Sequence, residues 1–237
     1  MFTPQPTTTA RRSPLSREEV LHAAIRLADE GGIAELTMRK LADKLGIQAM
    51  SLYHHVANKD ELLDAMVDAV FREIEVVTEN APWKPAMRQR AVSARQTLLR
   101  HAWALGMMES RANPGQATLE CHDAVLGCLR RAGFSVALAA HAFSVLDSYI
   151  YGFVLQELNL PFQNPDDLQR VSGSILQNLP ADTYPHLMEM MTAHVSQPGY
   201  AYADEFMFGL DLILDGLEQA LGVRTQPDGC VALTGSG

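Results

Sequence analysis

Apolar residues recur at three- and four-residue intervals along most of the chain, and no stretch alternates long enough to read as a strand. Val20, Ala24, Leu27 and Ala28 share one helical face, between a capping box formed by Ser16 and Glu19 and a stop at Gly31-Gly32. Thr37 can cap a second helix, in which Leu41, Ala42 and Leu45 make one apolar face. Gly46 ends it in the left-handed conformation that glycine adopts cheaply, and Ile47 plugs the corner. A third helix over about 48–54 is too short to stand alone. Asn58 and Glu61, three apart, open a long helix reaching about Thr78, with Leu62, Leu63, Met66, Ala69, Val70 and Ile74. Pro82 and Pro85 break the chain.

Every later segment also reads as helix. One covers about 86–108, and another opens at Asn113-Pro114 and ends near Gly133. The segment 135–158 carries Leu138, Ala142, Val145, Tyr149 and Phe153 in register. Less distinct helices are expected over 168–179 and 183–194. The last, over about 202–221, carries Phe206, Leu210, Ile213, Leu214 and Leu217. The expected fold class is all-α, without an internal repeat or a heptad seam long enough for a coiled coil.

The stretch 36–59, LTMRKLADKLGIQAMSLYHHVANK, then stands out: a helix, a glycine turn and a second helix whose outward residues are polar and almost uncharged. This is the helix-turn-helix arrangement, whose second helix can enter the DNA major groove. A plain helical hairpin would share the geometry. The residues separate the two, because LTMRKLADKLGIQAMSLYHHVANKDELLDAM closely resembles the DNA-binding segment of the TetR family of transcriptional repressors. The resemblance is ungapped from about Ser16 to Val70, is strongest in the tetracycline-repressor branch, and includes the LYxHVxNK pattern at Leu52–Lys59. It implies a three-helix DNA-binding head over 15–77 and a helical ligand-binding and dimerisation body over 78–224. The Thr- and Pro-rich residues 1–14, ending in Arg11 and Arg12, read as a disordered arm, and 225–237 as a disordered tail.

Charge adjusts this picture. The whole chain carries −9, but residues 1–60 hold 8 Lys/Arg against 7 Asp/Glu, while 61–237 hold 11 against 21. The head is therefore near neutral and the body strongly acidic, which orients the head toward DNA. Three cysteines without a Cys-x-x-Cys pair argue against a disulfide framework, and Cys121 and Cys128, seven apart, read as buried thiols of one helix face. Neither a signal-peptide core nor a run approaching the roughly 20 apolar residues of a membrane span is evident. A soluble, cytoplasmic protein without a membrane partner is expected.

For DNA contact, the resemblance places Arg39 at an arginine that reaches into the groove, where a guanidinium can hold both acceptors of guanine. Gln48 and Ser51 can bond base edges or phosphate. Thr37, Tyr53, His55 and Lys59 match positions expected to grip phosphates. Ala49 and Met50 depart from a polar residue and a proline in the tetracycline-repressor pattern, and His54 departs from a large aromatic. A different operator sequence read by the same docking is the expectation.

The family also implies a ligand pocket in the body. The histidine with which the tetracycline-repressor branch holds a magnesium–drug chelate falls near Met107-Met108, so a more apolar or aromatic effector is expected, with no cofactor or metal. Trp103, Met107, Met108, Cys121, Phe143, Asp147 and Tyr151 are the candidates for lining its site. No His/Glu pairing of the zinc-helix type, nucleophile elbow or phosphate-binding glycine loop supports enzyme chemistry. The expected partners are a double-stranded DNA operator, a small-molecule effector and a second copy of the chain, paired through 135–158 and 202–221. Two rival readings are an effector-independent DNA-binding activator and a ligand-binding helical protein with a vestigial helix-turn-helix.

Overall fold

Capping starts and stops the first helices where the local chemistry predicts. In this computed structural model, which describes residues 15–78, 80–108, 110–111, 113–162, 164–180 and 183–225, all regular elements are helical. The arm with Arg11 and Arg12, residues 226–237 of the tail, and Cys230 lie outside the described residues. Helix α1 (Arg17–Gly31) opens on the capping box: Ser16 Oγ accepts from the Glu19 N–H at 3.1 Å, and the Glu19 carboxylate accepts from the Ser16 N–H at 2.7 Å. Thr37 Oγ1 accepts from the Lys40 N–H at the start of α2 (Met38–Leu45). Gly46 then turns the chain at φ 69°, ψ 36°. Helix α3 (Ala49–Leu52) is a single turn, shorter than 48–54, because residues 53–55 continue it only as a turn. Asn58 caps α4 (Lys59–Glu73), while the Glu61 carboxylate accepts from the Ala57 N–H, one residue before the Asn58 N–H expected to be its donor.

Beyond α4 the boundaries move, each for a reason in the packing. α4 stops at Glu73, not near Thr78, because the chain extends there to bury Ile74 and Val77. Pro82 and Pro85 do not separate elements: they open α5 (Trp83–Arg100), where first-turn N–H groups have no intrahelical acceptor to lose. α5 ends eight residues before Met108, and a 3₁₀ turn at Ala102–Ala104 follows. α6 (Gln116–Arg131) begins after Gly115, not at Pro114. Then come α7 (Val136–Leu158), α8 (Pro165–Asn178), α9 (Pro185–Met190) with a π turn at Met191–Val195, and α10 (Tyr202–Thr225). Thr225, assigned to the tail by its composition, is the last residue of α10.

The core is continuous from head to body. Val20, Ala24, Leu41, Leu52 and Leu62 fill the head, and Met66, Val70 and Phe71 of α4 carry the same cluster into the body. There α7 packs on α5, α6 and α10. Its buried stripe is Ala139, Ala142, Leu146, Ile150 and Phe153, so Val145 faces out, one position away from the expected register. α7 is 23 residues long and apolar enough, by length and composition, to cross a bilayer, which the interrupting Ser, His and Tyr residues conceal in the sequence. It carries the buried Asp147 instead, and helices cover one side of it.

Gly209 locks α7 to α10. Tyr149 Oη donates to the carbonyls of Phe206 (3.0 Å) and Glu205 (3.2 Å), and a Cβ on Gly209 would collide with the Tyr149 ring and hydroxyl. Gly209→Ala should gain about 1 kcal/mol in helix propensity yet destabilise the protein by about 1–2 kcal/mol net through overpacking. A melting temperature lowered by a few degrees in calorimetry checks this; a rise would mean that Tyr149 moves aside at no cost.

Candidate DNA interface and effector site

At the α2–α3 corner the Gly46 and Ile47 N–H groups both donate to the Ala42 carbonyl. With Leu41, Ala42 and Leu52 buried behind this corner, the polar sides of both helices face solvent. None of the ten residues expected to contact DNA is buried. Thr37, Arg39, Gln48, Met50, Tyr53, His54 and Lys59 are exposed, and Ala49, Ser51 and His55 are half-buried. Met50 is 73 % exposed, unusual for so apolar a side chain. Thr37 accepts a cap bond and keeps its hydroxyl proton to donate. Gln48 precedes α3 without using its side chain as a cap.

The head's cations divide by their partners. Arg17 pairs with Glu61, Lys40 with Glu35 and Lys44 with Glu30. Arg26 of α1, and Arg39 and Lys59 of the helix-turn-helix stretch, pair with no acidic group among the described residues. Arg39 and Lys59 are both exposed and flank α3 in the sequence, so the motif keeps two cations without an acidic partner.

α4 connects this face to the body and is tied down along its length. Near its start Arg111 donates to the Asp64 carboxylate and to the Asp60 carbonyl. Midway, Asp68 Oδ1 accepts from the Thr118 N–H (3.0 Å) and hydroxyl (3.3 Å), and Oδ2 accepts from Arg72 (2.6 Å). Asp68 thereby caps α6 from another helix, since Gly115 offers no side chain and has no room for a Cβ beside Asp68. At the end of α4, Glu73 accepts from Arg100 (2.8 Å) and meets His101 Nε2 (3.1 Å). The other ring nitrogen of His101 meets Asp29 Oδ1 of α1 at 2.8 Å, and the Trp103 indole N–H donates to the same oxygen at 2.7 Å. Burial pulls the Glu73 carboxyl up, but bonds from Arg100 and His101 together hold it below its ordinary range. One segment of the body therefore holds both the first helix of the head and the end of the connecting helix. The sequence has little local signal for this cluster, as His101 lies 72 residues from Asp29.

The seven residues expected to line an effector site are spread over several contacts. Trp103 is buried in the tie to Asp29. Met108 is buried and Met107 half-buried in the turn after the 3₁₀ segment. Cys121 is buried on α6, and the Phe143 ring lies edge-on to His122, 5.0 Å between centroids. Asp147 is buried and accepts from Arg90 Nη1 at 2.8 Å. Burial lowers the Arg90 pKa, but the charge and hydrogen bond of Asp147 outweigh that and leave it raised. Tyr151 lines a groove of about 460 Å³ between Ala102, Leu105 and Gly106 on one side and Gly152, Leu155 and Leu158 of α7 on the other. Across Leu158 lies a second cavity of about 440 Å³, lined by Phe162, Tyr200 and Tyr202 among others, which periodicity alone does not single out. Among the described residues no group of three or more His, Cys, Asp or Glu side chains is placed to hold a metal ion.

Residues 20–66 match the family described as bacterial regulatory proteins, tetR family, and residues 78–221 match the tetracyclin repressor-like C-terminal domain. A HTH-type transcriptional regulator of Saccharopolyspora erythraea is 36 % identical over 155 residues, covering 65 % of this chain and 66 % of that protein. The class A tetracycline repressor from transposon 1721 of Escherichia coli is 32 % identical over 209 residues, covering 86 % of this chain and 90 % of the repressor. The solved structure of apo ActR from Streptomyces coelicolor is similar with a TM-score of 0.74 at 27 % identity, over 90 % of this chain and 100 % of that one. A structure of ActR in complex with actinorhodin gives 0.72 at 27 % identity, over 89 % and 100 %.

Proposed function

The chain belongs to the TetR family of bacterial transcriptional regulators, and from that membership we propose that it is a homodimeric repressor released from a palindromic operator by a small, largely apolar or aromatic effector. The observation that carries the reading is the division of cations in the head, where Arg39 and Lys59 alone of the motif's cations lack an acidic partner among the described residues. α3 enters the major groove. Arg39, Gln48 and Ser51 contact base edges, and Thr37, Tyr53, His55 and Lys59 hold phosphates. Ala49, Met50 and His54 complete the reading surface, with the exposed Met50 suited to a thymine methyl.

Residues 15–77 act as the head and 78–224 as the body. The body dimerises through α7 and α10, whose outer faces expose Val145, Leu155, Phe208 and Leu212. Effector binding in the body shifts α4 through its ties at Asp68 and Glu73, changing the spacing of the two heads. A difference of a few kcal/mol between the two states is enough to empty an operator. ActR, similar across nearly the whole chain, has been solved with actinorhodin, which supports an effector site in this body.

A fluorescence-anisotropy titration with duplex DNA flanking the protein's own coding region, over a salt series, tests the reading. Selective binding that weakens steeply with salt is expected. Arg39→Ala combined with Tyr53→Ala should weaken it by roughly ten- to a hundredfold or more, as contacts to base and phosphate are lost. Undiminished binding by that variant would remove α2 and α3 from the DNA interface.

A further inference from the structure

The buried Arg90–Asp147 pair leaves a donor and an acceptor unused. Arg90 is 3 % and Asp147 5 % exposed, and a single bond joins them, from Nη1 to Oδ1. Arg90 Nε and Asp147 Oδ2 have no hydrogen-bond partner among the described residues. A buried ion pair repays its desolvation only when its remaining donors and acceptors are also satisfied. Unsatisfied atoms on both partners of one pair therefore mark a place for a guest that offers an acceptor and a donor together.

We infer that this pair is the polar anchor of the effector site and takes a phenolic hydroxyl of a neutral aromatic molecule, which donates to Asp147 Oδ2 and accepts from Arg90 Nε. This rests on the regulator reading above and narrows its effector to one chemical class. The charges of the pair cancel, so an ionic guest would bring an uncompensated charge into the core, whereas a neutral hydroxyl does not. Aromatic groups stand on both sides. Phe143, Asp147 and Tyr151 follow at four-residue steps on one face of α7, about 6 Å apart per step. Of these residues Tyr151, and neither Arg90 nor Asp147, lines the 460 Å³ groove, a volume within the range of small-molecule sites. Phe143 packs edge-on against His122, and His122 in turn against Phe71 of α4 at 5.4 Å. Two ring contacts, Phe143 to His122 and His122 to Phe71, thus lead from the helix of the anchor to the helix that carries the head.

The test compares 2-naphthol with 2-methoxynaphthalene, which keeps the ring and the acceptor but lacks the donor, by tryptophan fluorescence titration of the full chain. 2-Naphthol should bind at least about tenfold tighter, the value of a hydrogen bond to a charged group. The preference should vanish in the double variant Arg90→Met/Asp147→Leu, which keeps the core filled. Equal affinity for the two probes, no binding of 2-naphthol, or a preference that survives in the double variant would each overturn the assignment. Should that variant not fold, the Arg90 Nε–H resonance in the wild-type protein decides, because it must move on addition of 2-naphthol and the assignment falls if it stays. Operator binding by the unliganded wild-type protein is read separately. Selective 2-naphthol binding without operator binding would sink the regulator reading and leave the anchor standing.

Discussion

Phe208→Asp combined with Leu212→Asp is expected to make the protein monomeric and to weaken operator binding by roughly a hundredfold or more, the avidity of two linked heads. Phe208 is 66 % and Leu212 60 % exposed, one turn apart on the outer face of α10. Their inner neighbours Phe206, Leu210 and Leu214 are buried against the body. Alongside, α7 exposes Val145 and Leu155 although just two of its 23 residues are acidic and none is Lys or Arg. Two adjacent helices that are apolar on their outer sides mark a contact face. A two-fold interface brings each such face against its own copy, so four added carboxylates would meet in one apolar contact. Analytical ultracentrifugation reads the assembly and anisotropy reads the operator. A dimer that survives both substitutions would move the interface elsewhere. A monomer that still binds the operator at full strength would show that the two heads do not act together.

What the sequence displays is what short-range chemistry decides. Ser16, Thr37, Gly46 and Asn58 each act on backbone groups within a few residues, and all four cap or turn the chain where their spacing predicts. The head is therefore legible almost residue by residue, including which side of α2 and α3 faces out. The body is not. α7 is apolar nearly all round, so its periodicity fits several faces, and only packing against α5, α6 and α10 turns Val145 outward. α5 ends early because His101 and Trp103 leave the helix to meet Asp29 and Glu73, partners a local pattern does not connect. α6 starts late because its cap is Asp68, 50 residues away. The same holds for the anchor: Asp147 is visible as an acid in an apolar helix, but Arg90, 57 residues earlier, reads as one more basic residue of α5.

Arg90→Met alone is expected to destabilise the protein by about 3–5 kcal/mol, because it strands the Asp147 carboxylate in the core with no counter-charge. Burial makes the cost large, since an exposed pair would contribute about 1 kcal/mol or less. Adding Asp147→Leu should restore most of the loss, as two apolar side chains of suitable volume need neither charge nor hydrogen bond. The two substitutions are thus strongly non-additive, and a double-mutant cycle from urea unfolding at one fixed protein concentration measures the coupling. The sign of the double variant carries further meaning. A protein more stable than wild type would mean that the ion pair is kept at a cost to folding, as sites that bind a guest commonly are. A double variant as unstable as Arg90→Met would mean that the core depends on the shape of the pair, and the polar atoms left over would then be an accident of packing.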